Sequence, residues 1–233
     1  MNKLYLITLF LCYAIMAMGQ GQIKRPHKTV KAKVEISEPD GYINGHGYVD
    51  LGLPSGTKWA TCNVGANEPW NYGNYYSWGE TSPKEYYDET SILSGVHIDQ
   101  IAGDTNYDAS TKNWGKGWRM PSESDMKELL MYCKSVNFTT HDVSGILFTG
   151  LNGKTIFVPK GGHMVGKGTT ATMGNMLYIW TGNANYKWQG KTASSDDFYS
   201  TTLRDCDKGR IEDFVLEPIS RGSGLNVRAV VHE

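Results

Sequence analysis

Apolar residues recur at Met126, Leu129, Leu130 and Cys133, the i, i+3, i+4, i+7 spacing of one helical face. Ser122 stands ahead of them as an N-cap, and Asp125 three residues later completes a box-like cap, so the pattern predicts a helix over residues 122–135. Glu128 falls off the apolar stripe, and Lys127 and Lys134 flank it. A shorter helix is predicted over residues 109–114, capped by Asp108. Elsewhere the apolar runs shorten to strand length: 58–61, 145–149, 155–158, 177–181, 198–202, 212–217 and 225–231. Asn152-Gly153, between the second and third of these, reads as a hairpin. Pro54-Ser55-Gly56 reads as a turn between two further short strands. From residue 66 to 82 no period lasts, and Trp70, Tyr72, Tyr75, Tyr76 and Trp78 predict a long ordered loop packed by its own rings. Residues 83–107 read as polar and irregular.

The start of the chain carries a different signal. Met1-Asn2-Lys3 is basic, residues 4–16 are almost wholly apolar, and Ala17-Met18-Gly19 offers small residues at the −3 and −1 positions of a cleavage site. The run is short of the roughly 20 residues a membrane span needs. A signal peptide over 1–19 is therefore expected, with export to the periplasm, the cell surface or the medium. Residues 20–40, holding Lys24, Arg25, Lys28, Lys31 and Lys33, read as a basic flexible lead-in, and 41–233 as one domain. No second run of spanning length follows, so the exported chain is expected to be soluble. A net charge of −1 argues against a nucleic-acid partner. The 27 glycines, 14 tyrosines and 7 tryptophans suit a loop-rich, aromatic-cored exported domain.

Beyond the leader lie Cys62, Cys133 and Cys206, so at most one pair forms within the chain. Cys62 follows a predicted strand, and Cys133 lies on the inner face of the predicted helix. A Cys62–Cys133 disulfide, roughly 4 kcal/mol in the chain-entropy model, stands beside the alternative of two small buried hydrophobes.

Asn113-Trp114-Gly115-Lys116-Gly117-Trp118-Arg119-Met120-Pro121-Ser122 packs rings, glycines and a proline into ten residues, which predicts a sharp turn around buried tryptophans. With Tyr48-Val49-Asp50-Leu51-Gly52-Leu53-Pro54-Ser55-Gly56-Thr57-Lys58-Trp59-Ala60, Asn63-Val64-Gly65-Ala66 and Tyr76-Ser77-Trp78-Gly79-Glu80-Thr81 before it, the chain resembles the Fibrobacter succinogenes major paralogous domain family. Phe148-Thr149-Gly150, Ile156-Phe157-Val158-Pro159 and Asn226-Val227-Arg228-Ala229-Val230 continue the match over roughly residues 47–231. That family is common in exported proteins of gut Bacteroidetes. The resemblance implies a single C-type-lectin-like α+β domain, related to the formylglycine-generating enzyme. Such a domain has twisted antiparallel sheets, two flanking helices, long ordered loops and pairing of the N- and C-terminal strands. Trp59, Trp78, Trp114 and Trp118 are expected as structural rings, with Arg119 fixing its turn through carbonyls or a carboxylate. The chain departs from the family at Tyr178-Ile179-Trp180-Thr181-Gly182, where relatives carry an aromatic-Trp-Ser-Ser-Thr segment.

Catalytic signatures are sparse. Formylglycine formation uses two cysteines near the C-terminus, where this chain has Cys206 alone. There is no Gly-x-Ser-x-Gly and no His-Glu-x-x-His. A calcium loop begun at Asp104 would need glycine and glutamate where Ala109 and Gly115 stand. Glu68-Pro69-Trp70 and Glu217-Pro218-Ile219 lack the second oxygen donor of a calcium-lectin triplet. No catalytic residue, metal or cofactor is therefore assigned. The divergent polar region supplies the candidate ligand contacts: Trp180, Asn183, Asn185, Tyr186, Trp188, Asp196, Asp197 and Tyr199. The expectation is a non-catalytic module recognising a glycan or protein ligand through this C-terminal face. A structural or adhesion component, or an enzyme with an unrecognised site, are the alternatives.

Overall fold

The computed structural model describes residues 35–88, 90–167, 169–185, 199–205 and 214–231. The leader and most of the basic lead-in therefore lie outside the described residues, as do Tyr186, Trp188, Asp196, Asp197 and Cys206.

β1 (Gly41–Ile43) and β2 (His46–Val49) form a hairpin with Ile43 opposite His46. Its two turn residues, Asn44 (φ 50°) and Gly45 (φ 83°), are both left-handed, the conformation Asn-Gly favours in a tight hairpin. β3 (Lys58–Ala60) returns beside β2. β4 (Tyr86–Tyr87) interrupts the otherwise irregular stretch that precedes α1 (Ala109–Trp114). α2 (Glu123–Tyr132) leads into a meander of β5 (Lys134–Thr140), β6 (Val143–Thr149) and β7 (Thr155–Pro159). β8 (His163–Lys167) and β9 (Thr169–Ala171) pair with each other, and β8 with β4. β10 (Tyr178–Ala184), β11 (Tyr199–Asp205) and β12 (Phe214–Ser220) form a third three-stranded sheet. β13 (Val230–Val231) lies against β3, so the earliest and latest described strands share one sheet in the order β1-β2-β3-β13. The domain is thus mostly antiparallel sheet with two short helices. No helix among the described residues is long and apolar enough to cross a membrane.

Capping decides where the helices start. Ser122 Oγ accepts from the Asp125 amide while the Asp125 carboxylate accepts from the Ser122 amide, a complete capping box. Asp108 accepts from the amides of Ser110 and Thr111 at the start of α1. α2 ends at Tyr132, three residues before the sequence pattern does. Cys133 is already extended, and Lys134 opens β5. Most of that strand faces solvent, which leaves little apolar alternation to read in the sequence. Asn152-Gly153 does join two strands, but in a wider loop that closes from Gly150 to Lys154; the tight Asn-Gly turn is Asn44-Gly45.

Two apolar clusters make the core. One packs Met126 and Leu129 of α2 against Trp59, Phe148, Ile179 and Leu203. The other is tryptophan-rich, with Trp78, Trp114, Trp118 and Trp180. Within the Trp-Gly turn, Trp114 and Trp118 meet edge to face at 5.1 Å, and Trp118 Nε1 donates to Ile43 O at 3.0 Å. Gly115 (φ 84°) has no room for a Cβ, which would lie 2.9 Å from Asn44 Nδ2. That same Asn44 amide donates to the carbonyls of Trp114 and Lys116. Arg119 exchanges backbone hydrogen bonds with Val230 and grips the Asp125 carboxylate with both terminal nitrogens, at 2.6 and 3.1 Å. Burial alone would push the Asp125 carboxyl up, but the Arg119 and Ser122 donors outweigh it and hold it below the usual range.

The lead-in boundary needs correction. Residues 35–40 belong to the folded unit. Ser37 and Thr155 exchange hydrogen bonds at 2.9 Å, Thr155 Oγ1 donates to Glu35 O, and Asp40 pairs with Lys154. Ser37-Glu38-Pro39-Asp40-Gly41 is turn chemistry, not linker chemistry.

The Cys62–Cys133 disulfide is also corrected: both thiols are free. Cys133 is buried in the α2 cluster, whereas half-buried Cys62 lines a surface cleft. Burial pushes the Cys133 thiol up to about 12. Brief alkylation of the native protein followed by peptide mapping is expected to label Cys62, and to label Cys133 only after denaturant is added. Equal labelling of both without denaturant would contradict this packing.

Candidate functional site

The C-terminal residues singled out from sequence divide into two groups. Tyr186, Trp188, Asp196 and Asp197 lie outside the described residues. Of the others, Trp180 is a correction. Its ring is 0% exposed, and Nε1 donates to Tyr76 O at 2.8 Å. β10 carries β11 on one side and accepts the 225–227 segment on the other, so a polar neighbourhood in sequence encloses a core ring in space. Asn183 Oδ1 accepts from the Glu123 amide at the first turn of α2. Asn185 Nδ2 donates to Thr201 Oγ1, and half-buried Tyr199 begins β11 opposite Ser220. Asn183 and Asn185 therefore hold the domain's own elements together. Trp59, Trp78, Trp114 and Trp118 are all buried.

A well-formed concavity among the described residues lies elsewhere. A cleft of about 450 Å³ opens between residues 36–39, the β1–β2 hairpin and the 66–70 loop, within the usual size range of ligand sites. Its walls are aromatic. On one side the His46 ring lies flat on Trp114, centroids 4.1 Å apart and planes 12° from parallel. On the other is Trp70, whose ring stacks on His141 at 3.6 Å and 15°. Tyr42, 68% exposed, stands at the lip. His141 (φ 48°) and Asp142 (φ 60°) form the β5–β6 turn in the left-handed region without glycine, so strained backbone sits directly behind one wall.

The charge in the cleft is one-sided. Glu38 and Glu68 line it and are exposed. Burial pushes the His46 imidazole below its ordinary value, which disfavours its charged form. Among the described residues that line it, none is lysine or arginine. Arg228 is fully buried and donates to Asn63 Oδ1, Ala60 O and Phe157 O at 2.9–3.0 Å. Burial pushes it down to about 10, against a smaller opposing pull from Cys62, so it stays charged at neutral pH. Among the described residues, no group of three His, Cys, Asp or Glu is arranged to hold a metal ion.

Sequence reasoning passes over this site for an identifiable reason. Its members come from three distant segments: Glu38 with Tyr42 and His46, Glu68 with Trp70, and Trp114. The one local signal, Glu68-Pro69-Trp70, reads along the chain only as a failed calcium ligand set. Compared with family models, with curated proteins and with solved structures, the chain finds no match.

Proposed function

We propose that this chain is an exported, non-catalytic binding domain that recognises a glycan or protein ligand through the aromatic cleft between residues 36–39, the β1–β2 hairpin and the 66–70 loop. The observation that carries the reading is the cleft itself: about 450 Å³, walled by the His46–Trp114 stack and by Trp70. Flat rings beside carboxylates recognise by contact. The apolar run at residues 4–16 with Ala17-Met18-Gly19 supports export. Membership of the Fibrobacter succinogenes major paralogous domain family, with a C-type-lectin-like fold, is part of the proposal. Its support is the long ordered motif match, the antiparallel sheets, the two short helices and the sheet shared by β1 and β13.

The test is a glycan and protein array probed with the purified chain. Trp70→Ala is expected to weaken a saturable hit by about 30-fold or more, the scale of a lost aromatic hot spot, with little change in melting temperature. A hit that survives Trp70→Ala but is lost with Trp188→Ala would return recognition to the C-terminal region.

A further inference from the structure

We infer that the cleft takes a cationic side chain, of lysine or arginine type, presented by an extended segment of a partner polypeptide. The inference rests on the reading of this cleft as the binding surface. Three observations converge.

The first is unspent negative charge. The Glu38 and Glu68 carboxylates have no ion pair or hydrogen bond among the described residues, although both border the same concavity. Neighbouring acids are committed: Asp40 pairs with Lys154 and accepts from the Asp50 amide, and Asp50 accepts from the Gly52 amide. Among the described lining residues no lysine or arginine offsets Glu38 and Glu68, and burial disfavours the charged form of His46. An anionic ligand would meet uncompensated like charge, which costs affinity.

The second is the rings. Tyr42, Trp70 and the His46 ring, backed by buried Trp114, give the cleft apolar surface with π faces. A cation held near such faces gains about 0.5–2 kcal/mol from the ring quadrupole. The methylene stem of a lysine or arginine covers apolar surface while its head reaches a carboxylate. A neutral sugar would use the rings and leave both carboxylates without a counter-charge.

The third is backbone. β1, which carries Tyr42 to the lip, is the edge of the β1-β2-β3-β13 sheet among the described strands. Edge strands offer main-chain groups that an extended peptide pairs with while its side chains enter pockets. That favours a polypeptide over an isolated amine or an amino sugar.

The experiment titrates the purified full chain with three labelled probes: pentalysine, pentaglutamate and cellopentaose. Pentalysine is expected to bind saturably and to weaken as salt rises. Glu38→Gln combined with Glu68→Gln should weaken it at least tenfold, and Trp70→Ala similarly, with melting temperature unchanged in each. Pentalysine binding that is indifferent to the two glutamine substitutions would overturn the inference, as would equal or tighter binding of pentaglutamate. Cellopentaose binding that depends on Trp70 without pentalysine binding would overturn it too, while leaving the cleft as the recognition surface. If none of the three probes binds, the cationic preference is wrong, and the array then decides separately whether the cleft recognises anything.

Discussion

Replacing Asp108 with alanine is expected to bring the domain close to unfolding. Its carboxylate is 0% exposed and accepts four backbone amides: Ser110 and Thr111 on one oxygen, Gly103 and Met120 on the other, at 2.7–3.2 Å. Burial pushes its pKa up against the pull of those four donors. A helix cap alone is worth about 1 kcal/mol. Asp108 also ties the loop before α1 and the Trp-Gly turn after it to one point, so alanine strands four buried donors at about 1–3 kcal/mol each, less than additively. A loss on the order of 4 kcal/mol or more is a large part of the 5–15 kcal/mol typical of a domain. It corresponds to a fall of roughly 10–15 °C in melting temperature for a chain of this size. Asp108→Asn would keep one acceptor oxygen and turn an NH₂ group toward the other two amides, so about half the loss is expected. Thermal unfolding followed by circular dichroism reads both. An alanine variant whose melting temperature matches the parent's would show that the carboxylate is dispensable.

Trp180→Ala is expected to destabilise by about 3–5 kcal/mol, the cost of emptying a large aromatic site in a closed core. It also removes the donor to Tyr76 O. Trp180→Phe should retain most of the packing and lose about 1–2 kcal/mol, mainly for the missing indole donor. Denaturant titration of both variants measures the difference. The result separates two roles for this ring: as a ligand contact, alanine would lower affinity and leave stability intact. Full stability in Trp180→Ala would mean the ring is not the core element described.

How much of this is legible in the sequence differs between elements, for physical reasons. α1 and the start of α2 are readable because caps are local: Asp108 and Ser122 act on amides two or three residues away. β6 and β7 are readable because β7 is buried throughout and β6 through its centre, where each forms a continuous apolar run. β5 and β8 are not, since strands that largely face water carry no period to detect and owe their pairing to neighbours. The 225–231 run is overextended for a related reason. Only Val230 and Val231 form a strand, while Leu225 exchanges hydrogen bonds with Tyr76, and the Val227 and Ala229 carbonyls accept from Val64 and from Ala60 at the end of β3. Trp180 shows the main hazard in choosing a site from sequence. Polar neighbours along the chain say little about a ring enclosed by segments far away in number. The cleft shows the converse: its aromatic, acidic and imidazole side chains come from distant segments and meet only after folding.

The stacked histidines have a kinetic consequence. With Trp114 held against His46 and Trp70 against His141, both walls are fixed before any ligand arrives, so capture needs few rotamers to freeze. Encounter should then proceed without a slow rearrangement, and good ligands should differ from poor ones chiefly in how long they stay.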